Sequence, residues 1–217
     1  MHRNACVVSA LLAGVGLCAG ASAQTLKLTQ NPFSVGNGGE FTVTVLSGNA
    51  GLTGLAGDLS PVTFETFCVE HNENFQPGET LSFVMNTGAV GGGVSGQTSP
   101  SFDDLDPRTA YLYTEFRYGT LAGFDYGAGR TASAGALQDA IWFIEGEGGA
   151  NNAFVALATA AVTNNLWTGI GDVRVLNITR ANGDPGQDQL TLVPAPGAAA
   201  LLGGAGLLLG ARRRRSV

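Results

Sequence analysis

Apolar and hydroxylated positions alternate with a period of two over residues 25–29 and 40–47. In the second stretch Phe41, Val43 and Val45 fall on one side and Thr42, Thr44 and Leu46 on the other. That pattern predicts two strands, the first of them weaker and suited to an edge. Residues 63–71 and 80–86 are further strand candidates. The turn-forming segment 72–79, with Pro77-Gly78, separates them and predicts a hairpin with a long loop. Residues 48–60 read as a glycine-rich connector, and residues 87–100, with five glycines among small polar residues, read as a surface loop.

The period then changes. Asp106-Pro107 supplies a capping carboxylate and a proline for the first helical position of residues 108–117, although Tyr111, Tyr113 and Tyr118 would equally suit a strand. Residues 131–145 carry an apolar stripe of Ala134, Leu137, Ile141 and Ile144, with Thr131 or Ser133 as cap and Gly146 as stop. Residues 151–167 form an alanine-rich helical pattern with Phe154, Leu157, Ala158 and Ala161 in register, and residues 172–179 and 189–193 return to strand. The expected class is α+β: a β-sandwich-like or β-rich domain with two or three inserted helices. No internal repeat of about 20 to 50 residues is visible, which argues against solenoids and propellers.

Both ends read as addresses. Residues 1–23 have Arg3, an apolar run over 7–19 and Ala21-Ser22-Ala23, the layout of a signal peptide with its cleavage site, while Leu17 before Cys18 argues against lipid attachment. Residues 191–211 carry no charge and are followed at once by Arg212, Arg213, Arg214 and Arg215. About 20 such residues are enough to span a bilayer, with the arginines on the cytoplasmic side. An exported domain over residues 24–190 and a C-terminal signal over residues 191–217 are therefore expected.

Trimming changes the charge and cysteine picture. All 17 acids lie between Glu40 and Asp188, against six basic residues in the exported body, so its formal charge is six minus seventeen, or −11. Nucleic-acid binding needs the opposite sign and is excluded. Cys68 becomes the lone cysteine of the body, and His71 its lone histidine. On a strand, side chains three apart face opposite ways, so a Cys-His nucleophile is not expected, and one of each cannot close a zinc site. No cofactor is expected, with calcium left open as a ligand of Asp103, Asp104 and Asp106 or of Asp184 and Asp188, neither of which matches the twelve-position calcium loop. Glu65 and Glu70 show no spacing that forces a hydrolytic pair together. Phe75, Phe102, Phe124 and Trp167 suit a glycan groove or, more simply, the core.

Gln138 lies beside Leu137 on the helical stripe. A cysteine sulfur and a glutamine carboxamide in contact can condense to an internal thioester with loss of ammonia. The segments Thr66-Phe67-Cys68-Val69-Glu70, Tyr111-Leu112-Tyr113 and Leu137-Gln138-Asp139-Ala140-Ile141-Trp142 together resemble the thioester domains of bacterial surface adhesins. The resemblance implies a reactive bond between Cys68 and Gln138, shielded by Phe67 and Trp142. At the C-terminus, Val193-Pro194-Ala195-Pro196-Gly197, the apolar segment to Gly210 and Arg212–Arg215 resemble the PEP-CTERM sorting signal of exopolysaccharide-producing bacteria. That implies transient membrane insertion, an exosortase-like transpeptidase as partner, and a cell-surface or extracellular destination. The functional expectation is a non-enzymatic surface protein that couples to an amine or hydroxyl of a polysaccharide or protein. The alternative is a structural or glycan-binding matrix protein whose cysteine is an ordinary buried thiol.

Overall fold

The computed structural model describes residues 24–48, 63–91, 93–94 and 102–193. The expectations for the leader, for the connector over 49–60, and for Pro194, Ala195, Pro196, Gly197 and Arg212–Arg215 lie outside those residues; Val193 is described.

Alternating burial makes the strands β1 (Thr25–Gln30), β2 (Phe41–Ser47), β3 (Thr63–Thr66) and β4 (Thr80–Asn86), followed by the short β5 (Gly88–Val90) and β6 (Phe102–Asp104). Three helices come next: α1 (Pro107–Tyr118), α2 (Arg130–Glu145) and α3 (Ala153–Thr163). Strands β7 (Val173–Thr179) and β8 (Pro185–Leu192) complete the order. The main sheet has the order β3-β2-β1-β4-β7-β8, every pairing antiparallel, and β5 pairs with β6 separately. The α+β, β-rich class follows.

Several local expectations are corrected. Strand β1 is central, because Leu26 and Leu28 are fully buried and its backbone bonds both β2 and β4. For the same reason β3 and β4 form no hairpin: β1 and β2 lie between them. The glycine-rich run after Asn86 is partly strand, since β5 buries Ala89 and bonds β6. Gly88 suits that close approach, because a Cβ there would meet the Asp103 carbonyl oxygen at 2.0 Å.

Helix α1 starts as its cap predicts, with the Asp106 carboxylate accepting from Arg108 N at 2.7 Å. Neither Thr131 nor Ser133 caps α2. Its N-cap is Gly129, and the Asp125 carboxylate accepts from Gly127 N and Gly129 N in the preceding turn. Gly146 ends α2 in the left-handed conformation at φ 82°, which a residue without Cβ adopts at no steric cost.

The sheet curls until its edges meet. Beyond β3 the chain continues extended, so that Val69 N bonds Asp188 O at 3.0 Å, Leu190 N bonds Phe67 O at 3.1 Å, and Cys68 bridges Gln189. Two buried clusters result. One holds Leu26, Leu28, Phe41, Val43, Phe64, Leu81, Phe83, Leu176, Ile178 and Cys68; the other joins the helices to Phe67, Val69, Val173, Val175 and Leu190. Ordinary alternation puts Val173 and Val175 on one face of β7 and Leu176 and Ile178 on the other, so one strand serves both clusters. The irregularity between Leu176 and Ile178 places its extra residue on β8.

Candidate functional site

The closing seam carries Cys68. Strand alternation sends Phe67 and Val69 toward the helices and Cys68 into the other cluster, which Trp142 of α2 also joins. One turn earlier on α2, Gln138 projects to the same place. Cys68 is fully buried and Gln138 is 1% exposed.

Their contact is three-fold. The Cys68 thiol points at Gln138 Oε1 at 3.1 Å, Cys68 N donates to the same oxygen at 3.1 Å, and Gln138 Nε2 donates to Cys68 O at 2.8 Å. Gly39 N adds a longer bond to Oε1 at 3.4 Å. The carboxamide carbon is one bond, about 1.2 Å, from that oxygen. Two backbone N–H groups on a carbonyl oxygen beside a nucleophile are the arrangement that stabilises a tetrahedral oxyanion.

Burial pushes the Cys68 thiol far above its ordinary range. Its backbone N–H and the Trp142 indole pull the other way. The indole N–H meets no partner at hydrogen-bond geometry, so its effect on the sulfur is that of a nearby dipole. A neutral sulfur is the form this niche favours.

The niche is covered by the β1–β2 connection. Gly38 packs so tightly that a Cβ on it would lie 2.7 Å from Gln138 Cγ, and Val35 rests on Gly135 of α2. The connection is pinned at Glu40, whose carboxylate is fully buried and accepts from Arg130 Nε at 3.0 Å and from Asn31 Nδ2 at 3.1 Å. Arg130 also lies over the Phe33 ring, 4.6 Å from its centroid. His71 packs edge-on against Trp142, with centroids 4.5 Å apart.

Of the four residues expected at the thioester, the structure brings Cys68, Gln138 and Trp142 together. Phe67 lies on the far side of the strand, edge-on to Phe116 at 5.0 Å, so its ring supports the backbone of the seam and does not face the sulfur. Covering falls instead to Gly38 and Gly39, which chain pattern did not single out.

The aspartate groups left open for calcium divide. Asp106 caps α1 and pairs with Arg108, and Asp184 is tied into a turn by Asn182. Asp188 is buried beside Glu70 and Glu73, ligand atoms of the three lying within 4.8 Å of one another. This group went unseen because its members come from the segment after β3 and from β8; the polar spacing Glu70, Glu73 after a buried strand was the available signal. The candidate groove aromatics scatter: Phe124 is buried among the helices, Phe75 packs on Phe41, and Trp167 packs on Tyr111.

Among the described residues no helix is long and apolar enough to cross a membrane. No protein-family model, no curated protein and no solved structure matches this chain.

Proposed function

We propose that this chain is exported to the cell surface or extracellular matrix and attaches there covalently through a thioester between Cys68 and Gln138. The observation that carries the reading is the buried contact in which one carboxamide oxygen meets both the Cys68 thiol and the Cys68 and Gly39 backbone N–H groups. The sulfur adds to the carboxamide carbon, the S–C bond forms, and the C–N bond breaks. The thiol proton leaves with the amide nitrogen as ammonia. An incoming amine or hydroxyl then takes the acyl group, which forms an amide or ester and returns the proton to sulfur. Each molecule reacts once, so this is attachment and not turnover. The β1–β2 connection and the indole over the niche keep water from the neutral thioester until a target arrives.

Sorting by an exosortase-like transpeptidase, with transient membrane insertion, remains the proposed route for the C-terminal signal at Val193 onward. The target is a surface or matrix polysaccharide or protein. A second reading, a non-covalent structural or glycan-binding protein, is favoured by one fact: a fully buried thiol with a raised pKa is ordinarily inert.

Intact-mass measurement on the exported protein separates the two. A deficit of one ammonia against the mass calculated for the observed termini is expected, abolished by Cys68→Ala and converted by methylamine into the mass of the methylamide. Full calculated mass together with a thiol that titrates on unfolding would overturn the covalent reading.

A further inference from the structure

Glu70, Glu73 and Asp188 are 2%, 8% and 1% exposed. Three carboxylates so buried either hold protons or need a partner charge. The body's arginines are engaged elsewhere: Arg108 with Asp106, Arg130 with Glu40, Arg180 with Glu79, Arg174 with the carbonyls of Gly171 and Val173, and Arg117 over Phe64 and Tyr113. Asp188 is held in place by Ile178 N at 2.8 Å, Asn177 Nδ2 at 2.6 Å and Val90 N at 3.1 Å. Glu73 Oε2 accepts from Asp188 N at 3.3 Å. Glu70 differs: its Oε2 is buried with no hydrogen-bond partner. A buried carboxylate with an unpartnered oxygen, within reach of two other carboxylates, is the donor a hard cation takes.

We propose that Glu70, Glu73 and Asp188 bind one divalent cation of the calcium class. Oxygens on opposite sides of a calcium ion, each about 2.3–2.6 Å from it, stand about 5 Å apart, and the three carboxylates lie within that span. Magnesium demands near-octahedral geometry and keeps its waters, which suits a buried three-carboxylate pocket less well. The titration of the group agrees in direction: burial, then the hydrogen bond and charge of Glu73, push Glu70 up to about 9, and burial, with the neighbouring carboxylates, raises Glu73 and Asp188 to about 7. A bound dication would remove that penalty and release protons near neutral pH.

The position gives the ion a task. Glu70 directly follows the segment 67–69 that closes the sheet, and Asp188 lies on β8 opposite it, so the ion clamps the seam that carries Cys68. Calcium outside cells would then tighten the frame of the niche without touching its chemistry. The site does not depend on the thioester.

Calorimetric titration of calcium chloride into chelator-treated exported protein tests this, with magnesium chloride as a parallel arm. One saturable calcium site is expected, with a thermal midpoint that rises on calcium addition and at least about tenfold weaker binding in Glu70→Gln. Asp184→Asn, which alters an exposed turn, and Cys68→Ser are expected to bind as the parent does. Absence of saturable calcium binding to the parent protein, preference for magnesium, or unchanged affinity in a folded Glu70→Gln would overturn the proposal. Because the parent protein is itself measured, the outcome does not rest on a variant that fails to fold. A missing ammonia deficit would overturn the thioester and leave this site standing.

Discussion

Gly38 stands against Trp142 so closely that a Cβ built on it would fall 2.4 Å from the indole Cη2. The residue that caps the niche is therefore a glycine because the indole occupies the space a side chain needs. Gly38→Ala is expected to force the loop or the indole aside at a cost of about 1–3 kcal/mol. In thermal denaturation the midpoint falls by several degrees, and the ammonia deficit of the exported protein decays faster on storage. An unchanged midpoint and an unchanged decay would show that the loop does not cover the site.

Gln138→Ala leaves Cys68 N and Cys68 O without their partner inside the fold. Two orphaned buried groups and a cavity cost about 3–5 kcal/mol together. Urea denaturation reads the loss as a lower midpoint. Gln138→Glu retains the shape but has no ammonia to lose from its carboxyl, so its intact mass is expected at the full calculated value.

Tyr113 is fully buried and its hydroxyl donates toward Glu65 O at 2.9 Å and Leu190 O at 3.1 Å, while Arg117 Nη1 donates to it at 3.2 Å. It joins α1 to both edges of the sheet at the seam. Tyr113→Phe retains the ring and removes the hydroxyl, with an expected loss of about 1–3 kcal/mol in urea denaturation. A change below about half a kilocalorie would place the seam's strength in its backbone bonds instead.

Glu145 supplies a pH dependence. Burial first, then the charges of Asp106 and Asp103, raise its pKa from 4.5 to about 8. The folded chain retains this proton over a range in which the unfolded chain releases it, so the stabilising contribution is complete below about 4.5 and is lost as pH rises toward 8. Glu145→Gln is expected to match the parent's thermal midpoint near pH 4.5 and to exceed it by a few degrees at pH 8.5. Parallel midpoint curves for the two proteins would show that Glu145 is ionised in the fold.

The elements were more legible than their arrangement. Alternation identified β2 and β4, and the stripe of Ala134, Leu137, Ile141 and Ile144 with Gly146 identified α2, because those signals are local and repeat. The place of β1 was not legible: a short strand with exposed Thr29 and Gln30 looks like an edge, and its central position comes from bonds to β2 and β4 that no local pattern records. The strand at Gly88–Val90 was hidden by the glycine-rich run it lies in, and its one glycine, Gly88, is there for closeness to β6.

By itself the sequence determined the acidity of residues 24–193, their one cysteine, the helix that carries Gln138 and Trp142, and the α+β class, since each depends on composition or on period along the chain. Tertiary structure alone decided that Cys68 and Gln138 touch, that Phe67 turns away from them, and that Glu70, Glu73 and Asp188 converge. Those relations are set where the two sheet edges close, across separations such as the 70 residues from Cys68 to Gln138, and hydrophobic period carries no information about which distant strands will meet.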